Sequence, residues 1–223
     1  DKKDRYRGVV ELLIPIVKAY CTDRSFEVCT HGIQIYGGYG YIKEFPQEQL
    51  LRDCKITSIY EGTNGIQAMD LLGRKLGMKK GKYFMDLLNE MNKTVAMGRD
   101  AEGLDEMADK VQAVINKLGE VAFHLGSTAM SEKVMDAFAS ATPFLEVAGD
   151  TIMACMHIWR ASVAQKALSS GKAKKKDIPF YQGQVTTARF FVDTILPVTM
   201  GKMESLGKLT DTIMSMPEDA FIG

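Results

Sequence analysis

Apolar residues recur along the chain with the spacing of an α-helix rather than that of a β-strand. They stand three and four positions apart in three stretches, within residues 111–125, 152–163 and 185–196. This spacing gathers them on one face of a helix, whereas a half-buried strand would alternate apolar and polar positions. No convincing alternation is found, so the pattern predicts an all-α protein. The three stripes consist of Val111, Val114, Ile115, Leu118, Val121, Ala122 and Leu125; Ile152, Cys155, Met156, Trp159 and Val163; and Val185, Ala188, Val192, Ile195 and Leu196.

Prolines and glycines divide the first part of this pattern. A long helix is predicted to end at Tyr36, where three glycines follow within four residues, and Pro15 is expected in its first turn. A short helix over 45–56 and a connector over 57–62 come next. A further helix is predicted over 63–77, because the threonine at its start is a good cap.

A polar run over 79–82 is the predicted boundary between a first domain, residues 1–80, and a second domain, residues 81–223. The lysine-rich stretch Gly171–Asp177 is interpreted as a solvated connector, with a binding patch as the alternative. Pro197 is expected to kink the last long helix. The helices predicted for the second domain cover 82–98, 104–140, 143–170 and 180–206.

Composition and charge argue against several classes of function. The chain has 28 basic and 28 acidic side chains, so it lacks the basic surplus of a nucleic-acid-binding module. It has no apolar run long enough to span a membrane and no secretion leader. Four cysteines without a C-x-x-C pair and three scattered histidines predict reduced thiols and no metal site. Reduced thiols are typical of an intracellular protein. We expect a bacterial cytoplasm, with a mitochondrial matrix as the alternative. Because residue 1 is aspartate rather than methionine, the chain is expected to begin inside a longer gene product.

Two short motifs stand out in the first 77 residues. In Gln34–Gly40 (QIYGGYG), a helix end opens into glycines, which let a ligand approach the backbone closely. Taken alone, this motif favours a plain helix C-cap. Neither a P-loop nor a dinucleotide fingerprint fits, since no Gly-Lys-Ser/Thr follows and no strand precedes. In Ile59–Thr63 (IYEGT), the carboxylate of Glu61 stands in a connector just before a helix. It is a candidate base over a pocket, although the motif taken alone favours a residue that caps the helix.

Together these motifs resemble a known family. The stretch Ala19–Arg74, with QIYGGYGY, LLRDCKI and IYEGTNGIQ in that order, resembles the C-terminal domain of acyl-CoA dehydrogenases. Residues 82–223 resemble an extra helical domain found in the branch that includes enzymes similar to 3-methylmercaptopropionyl-CoA dehydrogenase, through Phe180–Gly183 (FYQG) and Ala188–Phe191 (ARFF). The implied fold is a truncated C-terminal helical bundle of that family followed by a second helical bundle.

The resemblance implies FAD as cofactor and an acyl-CoA thioester as substrate. Glu61 would be the catalytic base that removes the α-proton while the β-hydride goes to flavin N5. Its backbone N–H would help to stabilise the thioester carbonyl. Gly62 would leave room for the acyl chain, and Thr63 and Asn64 would contact FAD. This chain has Thr63-Asn64-Gly65 where many members have Thr-Ser-Gln, so the side-chain amide of the third position is absent.

The first motif has a different implied role. Its residues Gln34, Ile35, Tyr36, Gly37 and Gly38 match a stretch that contacts the adenosine and pyrophosphate of the flavin in a neighbouring subunit, where glycines permit close approach. A homo-oligomer is therefore implied, and electron-transfer flavoprotein is the implied electron acceptor. Arg52 and Asp53 match an Arg-Asp pair that we interpret as scaffold, with a flavin contact as the alternative.

The family's N-terminal helices and β-domain would lie upstream of this chain. The chain alone is therefore expected to show no dehydrogenase activity and to retain no FAD, and its incomplete bundle should leave an apolar face open for self-association. Two other functions remain open. A non-catalytic helical scaffold or oligomerisation module would give Glu61 no reason to border a pocket, and an acyl-CoA oxidase would use the same base but pass electrons to oxygen.

Overall fold

The computed structural model describes residues 2–221, and these form ten α-helices without a β-strand. The all-α prediction is confirmed. None of the helices in this described range is long and apolar enough to cross a membrane. The helices are α1 Lys2–Tyr36, α2 Gly38–Tyr41, α3 Gln47–Lys55, α4 Asn64–Asp70, α5 Lys82–Arg99, α6 Asp105–Thr128, α7 Val134–Ala139, α8 Ala141–Ser169, α9 Ile178–Phe190 and α10 Leu196–Leu206.

Helix α1 corrects one sequence prediction. Pro15 lies in the middle of α1 and not in its first turn, because the helix already begins at Lys2. A proline inside a helix removes a backbone hydrogen bond and costs about 3 kcal/mol. The apolar residues Val9, Leu12 and Ile16 on either side of Pro15 are buried in the core. Their burial offsets the defect and keeps the helix continuous.

The core is built around α6 and α8. All seven members of the first apolar stripe, between Val111 and Leu125, are buried, and α6 packs against α5 and α8. The second stripe is different: Cys155 is buried, whereas Trp159 and Val163 are exposed. An apolar stripe is expected to face the core, and for Trp159 that expectation is wrong. Alanines such as Ala154 and Ala161 form much of the buried face of α8, which leaves the larger residues outside.

Two predicted long helices are each interrupted. The helix predicted over 104–140 is two helices, α6 and α7, because the chain leaves the helical conformation between Thr128 and Val134. The helix predicted over 180–206 contains a wider π turn at Phe191–Ile195, and Pro197 stands in the first turn of α10 just after it. The wide turn ends two residues before Pro197, where the missing N–H of the proline leaves one backbone carbonyl without its helical partner. A kink at Pro197 stays a prediction.

The polar run predicted as a domain boundary is a sharp turn. Lys79, Lys80 and Gly81 have φ angles of 49°, 58° and 82°. The segments on the two sides of this turn pack against each other, because α1 contacts α5 and α8, and α4 contacts α8. Leu71 and Phe144, one from each side, belong to one continuous apolar core. The division into domains 1–80 and 81–223 stays a prediction.

A buried polar network also joins the two segments. The hydroxyl of Tyr20 on α1 donates to Asp150 on α8 over 2.7 Å, and Thr199 on α10 donates to the same buried carboxylate over 2.9 Å. Burial and the Asp150 carboxylate raise the pKa of Tyr20. The ring of Tyr20 lies so close to Gly149 that a Cβ there would stand 2.1 Å from it. The first segment is thus held to the second by directional bonds as well as by apolar contact.

Helix α1 carries the open apolar face that the sequence predicted. Val10, Ile14, Val17 and Val28 are all exposed, and the first three stand four and three positions apart, on one side of the helix. An exposed apolar face of this kind favours association with another surface. Self-association through this face stays a prediction.

Candidate functional site

Glu61 lies in a strained turn between a short 3₁₀ turn, Ile56–Ser58, and helix α4. Its φ is 56°, and the next residue, Gly62, has a φ of 81°. The left-handed conformation costs a residue with a side chain about 1 kcal/mol. Among non-glycine residues in the range 2–221, Lys79 and Lys80 share this feature. Strain of this kind is concentrated at functional sites in proteins, which makes Glu61 a candidate on structural grounds.

The helix after this turn is capped by Thr63 and not by Glu61. The Thr63 hydroxyl accepts the N–H of Ile66 over 3.3 Å, as an N-cap residue does. The prediction that Thr63 caps α4 is confirmed, and the alternative role of Glu61 as the cap is wrong. Gln67 on α4 donates from its side chain to the Glu61 carbonyl over 3.2 Å, so the helix also holds the turn in place.

The carboxylate of Glu61 is exposed and has no hydrogen bond or ion pair with any residue of the described chain. The backbone N–H of Glu61 likewise donates to no acceptor between residues 2 and 221. One residue therefore offers a proton acceptor and a hydrogen-bond donor that are both free. This combination suits a base that acts beside a polarised carbonyl group.

Asn64 ties this turn to helix α1. Its side-chain nitrogen lies 3.2 Å from the carbonyl oxygen of Ala19, 2.9 Å from the hydroxyl of Thr22 and 2.7 Å from the carboxylate of Asp23. Its side-chain oxygen accepts from Lys18 over 2.8 Å. The sequence predicted a flavin contact for Asn64 and missed these partners. The structure shows an amide that is engaged within the chain, so a flavin contact here would use the backbone or compete with these bonds.

A cavity of about 270 Å³ lies beside Asn64, between α1, α4 and α8. Charged side chains of Asp23, Arg24 and Glu146 line part of it, and Leu145 and Ala68 line another part. Arg24 donates to Glu146 over 2.7 Å. Neither Glu61 nor Gly62 lines this cavity, so the open space around the candidate base lies elsewhere, at the surface.

The second predicted site lies at the end of α1. Gly37 has a φ of 61°, and its N–H donates to the carbonyl of Gln34 over 3.1 Å. A Cβ added at Gly37 or Gly38 would meet nothing within 4 Å, and Ile35 is 84% exposed. Packing within the chain therefore does not require a glycine at Gly38. The absence of a side chain leaves an open backbone surface, as close approach of a bound group requires.

The two predicted sites lie apart. Asn64 contacts α1 around Thr22, whereas Tyr36 is the last residue of that helix. At 1.5 Å per residue, the distance between these two points along α1 is roughly 20 Å. The structure brings Glu61, Gly62, Thr63 and Asn64 together and leaves Gln34–Gly38 as a separate surface.

Arg52 pairs with Glu48 on its own helix over 2.8 Å rather than with Asp53, and this bond raises the pKa of its guanidinium. Such a pairing suits the scaffold role predicted for Arg52.

In the described part of the chain, no group of His, Cys, Asp and Glu side chains is arranged to hold a metal ion.

Two family models cover most of the chain. Residues 2–76 match the model described as acyl-CoA dehydrogenase, C-terminal domain, and residues 87–217 match the model described as acetyl-CoA dehydrogenase C-terminal like. This chain belongs to the acyl-CoA dehydrogenase family. The predicted family and the predicted kind of helical fold are confirmed.

Individual relatives agree with this assignment. The chain is 31% identical over 223 residues to a butyryl-CoA dehydrogenase of Syntrophomonas wolfei, covering 99% of this chain and 36% of the relative. It is 33% identical over 200 residues to 3-methylmercaptopropionyl-CoA dehydrogenase of Ruegeria pomeroyi, covering 85% and 32%. It is 44% identical over 61 residues to the caffeyl-CoA reductase–Etf complex subunit CarC of Acetobacterium woodii, covering 27% and 16%. The chain thus spans about a third of the length of the first two relatives.

Proposed function

We propose that this chain supplies the catalytic base and part of the cofactor surface of an FAD-dependent acyl-CoA dehydrogenase that desaturates an acyl-CoA between its α and β carbons. The observation that carries the proposal is the turn at Glu61. A free carboxylate and a free backbone N–H stand there on one strained residue, held by Thr63, Asn64 and Gln67. Family membership supplies the reaction class.

Each group in the turn has its own role in removal of the α-proton. The Glu61 carboxylate accepts the α-proton of the thioester, and its backbone N–H donates to the thioester carbonyl oxygen, where negative charge develops. Gly62 has no side chain, and its neighbour Gln67 lies 3.0 Å from where a Cβ would stand. A side chain at this position would therefore crowd Gln67, whereas glycine leaves that space to the acyl chain beside the base. The product is a trans-2-enoyl-CoA.

Bound FAD would supply the two-electron oxidation by accepting the hydride from the β carbon. The residues present fit such a group, since Gly37 and Gly38 expose backbone that no neighbouring atom occupies. We assign Gln34, Ile35, Tyr36, Gly37 and Gly38 to the adenosine and pyrophosphate of a flavin in a second subunit, and Thr63 and Asn64 to the flavin beside Glu61.

This assignment requires an assembly of subunits and an electron acceptor. The exposed apolar face of α1 around Val10, Ile14 and Val17 supports a homo-oligomer. Electron-transfer flavoprotein is the proposed acceptor, supported by the relative whose name places it in an Etf complex. An oxidase would share the base and differ in its acceptor.

The test is anaerobic bleaching of the flavin in the full-length natural protein, loaded with FAD and mixed with a panel of acyl-CoAs. We expect Glu61→Gln to slow bleaching by about 10²-fold to 10⁴-fold, the usual contribution of a positioned base. Glu44→Gln is the matched control, because Glu44 is exposed and has no bond to another described residue. Equal bleaching in natural protein and Glu61→Gln would place the base elsewhere. Bleaching by no acyl-CoA would leave a scaffold role.

Two further experiments test the electron acceptor and the activity of the isolated chain. Reoxidation by electron-transfer flavoprotein that is faster than by oxygen supports a dehydrogenase, and the reverse result indicates an oxidase. The 223-residue chain alone is expected to retain no FAD and to show no turnover. Detectable FAD-dependent turnover by this chain would contradict that expectation.

A further inference from the structure

The hairpin formed by α8 and α9 concentrates positive charge. Between Trp159 and Gln184 there are six basic side chains and one acidic side chain, Asp177, which gives this segment a net charge of +5. The whole chain has a net charge of zero. The basic residues are Arg160, Lys166, Lys172, Lys174, Lys175 and Lys176.

These lysines differ from others on the surface. Lys82, Lys93 and Lys117 each form an ion pair with a carboxylate three or four positions away. The five lysines of the hairpin are exposed, and none forms an ion pair with a described residue. Glu102, an acidic residue of a neighbouring segment, accepts from Ser169 over 3.1 Å and does not pair with a lysine of the hairpin. The charge is therefore available to an anionic partner.

An apolar groove lies on the same hairpin. It encloses about 380 Å³ between α8 and α9, and Trp159, Val163, Phe180 and Tyr181 line it. Trp159 is 49% exposed, Val163 53% and Phe180 63%. Phe180 stands in the first turn of α9, directly after the lysine loop. Trp159 lies ten residues before the end of α8, which at 1.5 Å per residue puts it about 15 Å from the loop.

We propose that this hairpin docks the protein on the surface of an anionic lipid bilayer. Trp159, Val163 and Phe180 would enter the interfacial layer, where aromatic rings are favoured, and the lysines would lie over anionic headgroups. An apolar insertion and a basic patch are the two signals that stable peripheral attachment requires. The association is with the surface only, since no helix of the described chain is suited to cross a membrane.

The groove itself favours a bilayer over an acidic protein. Four of its seven lining residues, Trp159, Val163, Ala164 and Phe180, are apolar, and Arg160 donates to Gln184 across it. Insertion of apolar side chains into a lipid interface needs no directional bonds, whereas recognition of a peptide backbone does. Unpaired lysines on a short loop likewise suit a diffuse anionic surface, because attraction to such a surface depends on charge density and not on geometry.

The protein carries its own probe for this contact. Trp159 is the single tryptophan of the chain, so the emission of the 223-residue protein reports on this groove alone. The experiment titrates the protein with vesicles of phosphatidylcholine, or of phosphatidylcholine with about 30% phosphatidylglycerol, at low and high salt. We expect a blue shift of the Trp159 emission and co-sedimentation with the anionic vesicles at low salt, and loss of both at high salt.

Matched variants test the assignment. The triple variant Lys174→Gln, Lys175→Gln and Lys176→Gln should weaken vesicle binding by about tenfold or more. The control, Lys43→Gln, Lys133→Gln and Lys208→Gln, removes three lysines that are likewise exposed and unpaired but lie in other segments, and it should bind like the natural chain. Phe180→Ser should reduce the blue shift without a loss of lysines. Helical content and melting temperature are checked for each variant, so that misfolding is recognised.

Three outcomes of the experiments on the 223-residue chain would overturn the proposal. The first is no binding to anionic vesicles at low salt. The second is equal binding to neutral vesicles, unaffected by the triple lysine variant, which would point to the exposed face of α1 around Val10 and Val17. The third is binding to poly-glutamate but not to vesicles, which would point to an acidic protein. Co-sedimentation of the full-length protein, with the same variants, shows whether the hairpin is accessible there, and its absence would also count against the proposal.

Discussion

Replacement of Asn64 by alanine tests whether this residue holds the Glu61 turn on helix α1. The side-chain nitrogen of Asn64 has two hydrogens and three acceptors within 3.2 Å, so two of these bonds form at once, and Lys18 donates a third to the side-chain oxygen. Each such bond contributes about 0.5–1.5 kcal/mol net, and less where it is exposed. The expected loss in the free energy of unfolding is about 2 kcal/mol.

The assay is urea unfolding of the 223-residue protein without flavin, followed by circular dichroism. A loss of 2 kcal/mol in a chain of this size lowers the melting temperature by about 4–8 °C. Asn64→Asp should be at least as destabilising, because it sets a second carboxylate beside Asp23, where the amide nitrogen now lies 2.7 Å away. Asn89→Ala is the control, since Asn89 is exposed on α5 and has no bond to another described residue.

A change in Asn64→Ala no larger than that in Asn89→Ala, about 0.5 kcal/mol, would refute this reasoning. That result would mean that the hydrogen bonds to α1 are exchanged for water without cost. The flavin contact proposed for Asn64 would then be the remaining role to test, by FAD binding to the Asn64→Ala variant of the full-length protein.

Three other predictions concern the buried polar groups. Tyr20→Phe should lower the free energy of unfolding by about 1–2 kcal/mol, because the buried Asp150 carboxylate loses a donor, measured by urea unfolding. Burial and the charge of Arg160 lower the pKa of His157, so the unfolded chain binds its proton more readily, and stability should fall as the pH drops below about 6.5. Burial raises the pKa of the Cys155 thiol to about 12, so iodoacetamide should modify exposed Cys21 and spare Cys155 in the folded protein, as mass spectrometry would show.

Each of these predictions has a control. Tyr6→Phe removes an exposed hydroxyl and should leave stability within about 0.5 kcal/mol of the natural value. His157→Gln should abolish the loss of stability between about pH 7.5 and 5.5, whereas replacing the exposed His31 should not. If the free energy of unfolding of His157→Gln depends on pH as it does in the natural chain, another titrating group causes that dependence. Rapid alkylation of Cys155 in native buffer would show that α8 opens locally.

Local sequence was sufficient for the elements that depend on near neighbours. The buried stripe between Val111 and Leu125 follows from a spacing of three and four residues, since one turn of helix sets which side chains share a face. Thr63 was recognisable as a cap because its hydroxyl reaches a backbone N–H only three residues away. Glu61 was recognisable as the candidate base from the motif IYEGT together with the order of the motifs around it, which resembles that of the family.

Where the position of a residue depends on a distant segment, local sequence carries no signal for it. Pro15 lies inside α1 because the apolar residues around it are covered by helices far along the chain. Trp159 belongs to a regular apolar stripe and yet is exposed, because neighbouring helices pack on the alanine face of α8 instead. Periodicity fixes the faces of a helix but not which face is covered.

The sequence by itself determined that this protein is helical, that it belongs to the acyl-CoA dehydrogenases, and that Glu61 stands before a capped helix. Only the tertiary structure decided that Asn64 is bonded to α1, that the carboxylate and N–H of Glu61 are both free, and that Trp159 is exposed on the hairpin that carries unpaired lysines. The physical reason is range: helix periodicity and caps are set within a few residues, whereas hydrogen-bond partners and solvent exposure are set by segments tens of residues away.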